Sequence, residues 1–390
     1  MEKLIVKSFG PIKEAEIDLA KYVVFIGDTS TGKSVLAKLI SIFRDSNLRI
    51  DSNETFKELL SNYNIEFSND DTSIIYTNNE LNITILNGEV KVYVNGKAST
   101  IEYKSAINNL NEADDYTLLN LFRKNVKTLN FTAKEKEEFK EILKHFKKFE
   151  INEPIYIPAE RILNSLIGNS ISGLWANNVA LPICFKDFAA RYEVARKNTK
   201  KASYETFGFS YSFDNGNEMV TFEETSLLLS KTSSGIQSLL PLLLVLDYEI
   251  KSVENGELDR TILIEEPELN LYPIKQKYLI EYIVSKINKT DNKVIFTTHS
   301  PYILSSLDSL IFAKNTFNER PEYKEKIDSI ISEDKWIDFK DISVYEVRND
   351  GKVYSIKNEE FKSIDANTID IVSDIISEEF DKLTSLRYAH

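Results

Sequence analysis

At 390 residues, with 42% hydrophobic and 11% aromatic content, the chain has the composition of an ordinary folded protein with one large domain plus additions, or two domains. A formal charge of −13 argues against wholesale coating of nucleic acid, and no apolar run nears the roughly 20 residues that span a bilayer. One cysteine (Cys184) excludes an internal disulfide framework, three histidines (His145, His299, His390) leave almost no ligands for a zinc cluster, and the opening MEKLIVKSFG has no apolar signal core, so a cytoplasmic chain with no membrane partner is expected.

The first strong signal is Val23-Val24-Phe25-Ile26 running into GDTSTGKS, which fits G-x-x-x-x-G-K-[ST] from Gly27 to Ser34. The glycines let the backbone curl so that N–H groups point at a phosphate, and the helix that follows adds its positive end. Gly27, Asp28, Thr29, Ser30, Thr31, Gly32, Lys33, Ser34 and Val35 are therefore expected to bind ATP, with Lys33 reaching the β- and γ-phosphates and Ser34 offering its hydroxyl to Mg2+. Val35, Leu36, Leu39, Ile40 and Phe43 at helical spacing predict the helix.

Residues 45–150 read as an α+β insertion between core segments at 1–44 and 151–316. NIEF, SIIYT, LNITIL and KVYVNG predict short strands, with turns at Asn87-Gly88 and Asn95-Gly96. Thr132 is placed to cap a helix with Phe139, Ile142, Leu143 and Phe146 on one face. No sustained heptads occur, so no long coiled-coil arm is expected.

Farther on, Arg191, Arg196, Lys197, Lys200 and Lys201 form the strongest basic cluster and are the candidate nucleic-acid patch, with a solvated helix end as the plainer reading. A hairpin turning at Asn215-Gly216 leads to Ser233, Ser234 and Gly235 directly before a long apolar helix. Small residues at a helix N-terminus make an anion site. Because Gly27–Ser34 already serves this chain's own nucleotide, that second site makes sense if it serves a neighbouring copy.

TILIEEPELNLYP predicts a buried parallel strand, Thr261 to Ile264, ending in two carboxylates and stopped by Pro267. Adjacent strand residues point opposite ways, so the two acids have different roles. Glu265 is assigned to the metal and Glu266 to the base that activates water. KVIFTTHSPYIL repeats the pattern: strand Val294 to Phe296, then His299 at the carboxyl end, where α/β sheets bind ligands. Lys33, Glu266 and His299 are the candidate catalytic residues. A last hairpin turns at Asp350-Gly351, and an amphipathic helix closes the chain over roughly 367–383, within an expected small α+β extension at 317–390.

Taken in order, the loop GDTSTGKS, S-S-G before a helix, E-E-P-E-L-N-L and T-H-S-P resemble the ABC-type ATPase heads of the SMC class. They are similar also to the compact AAA/OLD-like ATPases that serve as ATPase subunits in bacterial antiphage defence; FGPIKEAEIDL and IYIPAER belong to the same likeness. The resemblance implies an α/β P-loop NTPase fold with a mixed sheet core. It also implies a head-to-tail homodimer sandwiching two ATP molecules, with Ser233, Ser234 and Gly235 of one copy facing Lys33, Ser34, Glu265, Glu266 and His299 of the other. The chain departs from the family at Glu265 (usually aspartate), Ile236 in the signature loop, and Tyr272 where histidine is common. No glutamine marks the γ-phosphate-sensing loop, and Glu160 or Arg161 is placed near it. The roughly 75 residues after Phe312 are too few for the Toprim nuclease of OLD relatives, so nuclease or toxin activity is expected in a separately encoded partner. The leading expectation is an ATP-hydrolysing switch that senses DNA, RNA or another trigger for that effector. The alternative is an ATP-stabilised scaffold that stores it with little hydrolysis.

Overall fold

The computed structural model describes residues 2–45, 52–67, 71–79, 81–94, 97–98, 153–167, 181–254, 260–365 and 371–387. At its centre, among the described residues, lies a six-stranded sheet. Five of its strands are short runs of β-branched and aromatic residues: β3 (Tyr22–Ile26), β8 (Glu153–Ile157), β13 (Arg260–Glu265), β14 (Lys293–Thr298) and β15 (Ile342–Val347). All five are parallel, in the order β15-β3-β14-β13-β8, and β16 (Val353–Ser355) adds an antiparallel edge beside β15.

Parallel strands are buried on both faces, and here the alternation divides two cores. Tyr22, Val24, Ile26, Ile262, Ile264, Val294 and Phe296 face one core; Val23, Phe25, Leu263, Ile295, Tyr345 and Val347 face the other. The second core is closed by α1 (Lys33–Arg44) and by an antiparallel sheet ordered β2-β1-β4-β5-β6-β7. Those strands are β1 (Lys3–Phe9), β2 (Ile12–Asp18), β4 (Ser73–Thr77), β5 (Leu81–Leu86), β6 (Glu89–Val94) and β7 (Lys97–Ala98), with α2 (Ser52–Asn62) packed nearby. The first core is closed by α4 (Ile183–Asn198), α5 (Ser234–Glu254), α6 (Pro273–Ile287) and α7 (Pro301–Glu319). A four-stranded meander completes it: β9 (Lys201–Tyr204), β10 (Phe209–Asp214), β11 (Asn217–Phe222) and β12 (Thr225–Leu228). Short α3 (Ile162–Ile167), α8 (Lys324–Ile330) and terminal α9 (Ile371–Arg387) complete the helices among the described residues.

At the amino ends of the parallel strands, a buried ion-pair network pins the two sheets together. Arg44 donates from Nε and Nη2 to the Glu2 carboxylate at 2.6 and 2.7 Å and from Nη1 to Thr261 Oγ1 at 2.6 Å. Tyr76 and Lys293 donate to the same carboxylate. Burial alone would raise the Glu2 pKa, but the charges and hydrogen bonds of Arg44, Lys293 and Tyr76 hold it at about 2.

Hairpins turn where expected: Asn87-Gly88 and Asn215-Gly216 both have two consecutive positive φ angles, the geometry of a tight type I′ turn. Four expectations change. NIEF is not a strand; residues 64–67 form a turn and coil. The strands of the supposed insertion do not stand apart from the first segment, because β4 pairs with β1 and extends its sheet. The supposed extension after residue 316 supplies β15, which lies directly beside the strand leading into Gly27–Ser34. Periodicity cannot reveal either pairing, since strand order is decided by long-range burial. The closing helix is described over Ile371–Arg387, past the expected end near Leu383; its expected start at 367 lies outside the described residues. The helix expected around Thr132–Phe146 and the turn at Asn95-Gly96 lie outside the described residues.

Candidate functional site

The carboxyl ends of β3, β14 and β13 meet at one crevice, with β14 between the other two. From β3 the chain enters the loop at Gly27 (φ 154°), passes Ser30 (φ 63°) and Gly32 (φ 109°) in left-handed conformations, and begins α1 at Lys33. Gly27 cannot be replaced without collision: a Cβ there would strike the Val347 carbonyl oxygen of β15. Gly32 is similarly close to Ile12 and Pro11 of the β1–β2 turn. Asp28, Thr29 and Ser30 are exposed on the loop, Thr31 and Lys33 are buried, and Ser34 and Val35 are half-buried at the helix start. Lys33 Nζ donates to the Gly27 and Asp28 carbonyls at 3.0 and 2.7 Å. Burial lowers the Lys33 pKa, opposed by the charges of Glu266, Asp28, Glu268 and Glu265.

Glu265 ends β13 on the α1 side of the sheet, and Glu266 has already left the strand, with φ 42°. This left-handed turn, more than strand alternation, separates the two acids. Glu265 is 6% exposed and its Oε1 has no hydrogen-bond partner. Beside it in register is Thr297 of β14, whose hydroxyl is likewise buried without a partner, and Tyr156 of β8 adds a third such oxygen. Burial and then the Glu265 charge push the Tyr156 phenol well above its usual pKa. The Glu265 and Thr297 oxygens, on the side of the sheet that faces the helix carrying Ser34, are a donor pair suited to a hydrated Mg2+, while the Tyr156 phenol lies against the Glu265 carboxylate and stays protonated. No three His, Cys, Asp or Glu side chains among the described residues come together as an all-protein metal cage. A site completed by water and phosphate oxygens is the usual one for Mg2+.

His299 follows β14 and joins the two sides. Its Nδ1 is 3.4 Å from Lys33 Nζ and its Nε2 is 3.4 Å from Glu266 Oε1. An ammonium can only donate, so the contact assigns the acceptor role to Nδ1 and leaves the proton on Nε2, facing the carboxylate. Glu266 and His299 side chains are 33% and 34% exposed, open enough to meet water and ligand. The ring is set by a residue that motif spacing did not single out. Glu268 Oε1 accepts from Thr298 Oγ1 at 2.7 Å and from the His299 N–H at 2.8 Å. Its place as the last acid in E-E-P-E was the available signal.

Ser233 and Ser234 are exposed at the start of α5, and Gly235 packs closely on the loop after the acid pair, where a Cβ would lie 2.9 Å from the Asn270 carbonyl oxygen. Gln237, buried, donates to the Ser230 and Thr232 carbonyls and holds this turn in shape. Within one chain the turn thus contacts residues 270–271, while Lys33, His299 and Glu266 gather on one another.

One expectation is corrected. Arg161 is not free to reach a phosphate: it is 1% exposed and its guanidinium is spent on backbone carbonyls. Three residues of the basic cluster make ion pairs. Arg191 pairs with Glu249, Arg196 is buried against Glu218, and Lys197 pairs with Glu193 one helical turn away; Lys200 and Lys201 are the exposed remainder.

Residues 167–304 match a family model described as AAA ATPase domain. The match takes in Ser233–Gly235, the acid pair and His299, and with the crevice geometry it supports an ATPase. The loop at 27–34 falls outside it. Among curated proteins none matches. Three solved structures resemble the chain at low identity. They are an Smc head bound to the C-winged helix domain of ScpA (13% identity, 92% of this chain and 98% of that one, TM-score 0.47), an Smc head domain with an extended coiled coil bound to the C-terminal domain of ScpA from Pyrococcus furiosus (13%, 96% and 100%, TM-score 0.39), and an SMC head domain from Thermotoga maritima (12%, 78% and 90%, TM-score 0.37). At such TM-scores the α/β assignment rests on the sheet order itself.

Proposed function

We propose that the chain binds Mg-ATP at Gly27–Val35 and hydrolyses it with Glu266 as general base. One observation carries the reading: Lys33, His299 and Glu266, remote in sequence, meet within 3.4 Å steps at the carboxyl edge of the sheet. Lys33 would exchange its carbonyl partners for β- and γ-phosphate oxygens. When bound, Mg2+ would offset phosphate charge, and Ser34 and Glu265 would hold it. Glu266 accepts a proton from water as the water oxygen bonds to the γ-phosphorus and the bond to the β–γ bridging oxygen breaks, releasing ADP and phosphate. His299 Nε2–H donates toward the transferring group and orients Glu266.

The exposed Ser233 and Ser234, with half-buried Gly235 behind them, are proposed to complete the site of a second copy, giving a head-to-tail dimer. In the wider role that sequence resemblance suggests, ATP-driven closure switches a separately encoded effector, in antiphage defence or a DNA-linked process. The test is turnover of purified protein beside Glu266→Gln, with molecular size measured in ATP and in a non-hydrolysable analogue. Loss of turnover with retained ATP-dependent dimerisation is expected. Equal turnover in both proteins overturns the hydrolytic reading, and a dimer without turnover in the parent favours the scaffold.

A further inference from the structure

Arg161 lies in a single helical turn (Ala159–Arg161) just after β8, completely enclosed. Its guanidinium has five N–H donors, and five backbone carbonyls surround it. Nε donates to Ser238 at 3.1 Å, Nη1 to Pro158 at 3.1 Å and Glu265 at 2.7 Å, and Nη2 to Glu266 at 2.7 Å with Pro267 at 3.5 Å. A buried cation with carbonyls as its nearest hydrogen-bond partners is costly unless its donors are met, and here they are.

The carbonyls it takes are informative. Those of Glu265, Glu266 and Pro267 belong to the acid pair and its exit. Glu266 occupies the left-handed region (φ 42°), a conformation that costs a non-glycine residue energy and persists only when its surroundings fix it. Three bonds fix it: its N–H donates to the Thr297 carbonyl at 2.8 Å, and its carbonyl accepts from the Leu269 N–H at 3.0 Å and from Arg161 at 2.7 Å, the one side chain of the three. The Ser238 carbonyl belongs to α5, near Pro241. Proline has no N–H, so the carbonyl four residues earlier, on Gln237, loses its helical partner. Ser165 Oγ supplies one at 2.6 Å. Segment 158–165 thus ties the first turns of α5, which carry Ser233–Gly235, to the backbone of Glu266.

We infer that Arg161 is a positioning residue that holds Glu266 in its left-handed turn and fixes the acid pair against the start of α5. The inference rests on the hydrolytic reading of Glu266. Lysine cannot reproduce a planar five-donor fork, so Arg161→Lys should loosen Glu266 while leaving the loop at 27–34 untouched.

The experiment compares Arg161→Lys, Glu266→Gln and the double variant by single-turnover ATP hydrolysis, affinity for a fluorescent ATP analogue, and thermal melting. Arg161→Lys is expected to slow hydrolysis by about 10- to 100-fold, the scale of an ångström-level misplacement. Affinity should stay within about threefold, and added to Glu266→Gln the substitution should cost almost nothing more, since both act through one carboxylate. A folded Arg161→Lys protein with parental turnover overturns the inference, as does parallel loss of rate and affinity, or a full additional loss in the double variant. Should Arg161→Lys melt below the assay temperature, Ser165→Ala, which deletes a single hydroxyl, is expected to lower the rate several-fold at unchanged affinity; parental rate in that variant overturns the inference. Turnover that survives Glu266→Gln instead overturns the reading of Glu266 itself.

Discussion

Glu265 and Thr297 sit side by side on β13 and β14, and each carries a buried oxygen without a hydrogen-bond partner. Unpartnered buried groups cost about 1–3 kcal/mol apiece, and these two lie where Mg2+ is proposed to bind. Thr297→Val removes one orphan at nearly constant volume. The apo protein should melt at the same or a higher temperature, while the Mg2+ concentration for half-maximal ATP turnover rises. Glu265→Gln should weaken Mg2+ by about 10- to 100-fold, the scale seen when metal-site partners are lost. Mg2+ titrations of turnover alongside melting curves check both; a Thr297→Val protein that is less stable with unchanged Mg2+ dependence would contradict the assignment.

His299 has one contact on each side, so its removal should separate binding from chemistry. For His299→Ala, ATP affinity is expected within a few-fold of the parent, because Lys33 and the loop amides remain. Turnover should fall by about 100-fold or more, as when a preorganised donor is deleted near a transferring group. Glu268→Ala should reproduce part of this loss, since it frees the Thr298 hydroxyl and the His299 N–H that set the ring. Single-turnover rates and equilibrium binding on the same preparations separate the two effects.

How much of this was legible depends on the range of the interaction. The loop at 27–34, the two strands that lead to the acid pair and to His299, and the hairpin turns are local patterns, set by glycine conformations and apolar runs; the strands run one and two residues past the expected ends at Ile264 and Phe296. The crevice follows from them once parallel strands are assumed. Arg161 was not legible, because a buried arginine and a phosphate-binding arginine look alike in sequence; what distinguishes them is the ring of carbonyls from residues 158, 238 and 265–267. The pairing of β15 with β3 was equally hidden, since residues 342–347 read simply as half of a hairpin. The ion pairs of the basic cluster were hidden in the same way: Glu218 and Glu249, which pair with Arg196 and Arg191, come from other elements.

The Glu2–Arg44 pair predicts a pH signature unrelated to catalysis. The Glu2 pKa is lowered from 4.5 to about 2 in the fold. A depressed carboxylate adds stability that is complete above its unfolded value and lost as pH falls through the folded one. The window therefore runs from about pH 4.5 down to about 2, with a contribution on the order of 3 kcal/mol. Glu2→Gln should be less stable than the parent by at least that amount at pH 7, because Arg44 is left buried without its counter-charge. The gap should narrow as pH drops below 4.5. Urea unfolding of both proteins at a series of pH values measures it; a gap that is constant to pH 3 would show that Glu2 is not held in its charged form.

Gly235 offers the sharpest test of the proposed second copy. A Cβ at this position would come within 2.9 Å of the Asn270 carbonyl oxygen, a backbone atom with little freedom to retreat because Asn270 itself holds a left-handed φ of 61°. Gly235→Ala must therefore push the Ser233–Gly235 turn outward, away from the loop that follows Glu266. Lys33 and the Gly27–Ser34 loop are on other elements, so ATP affinity of the single chain should be unchanged. If Ser233–Gly235 completes a neighbour's site, ATP-dependent dimerisation in the Glu266→Gln background should weaken by about tenfold or more, and turnover in the parent background should become steeply dependent on protein concentration. Sedimentation with and without ATP, paired with rate measurements over a concentration series, reads both. If Gly235→Ala lowers turnover equally at every concentration while the dimer is unaffected, the turn acts within its own chain, through Asn270 and the acid pair, and the head-to-tail arrangement loses its main support.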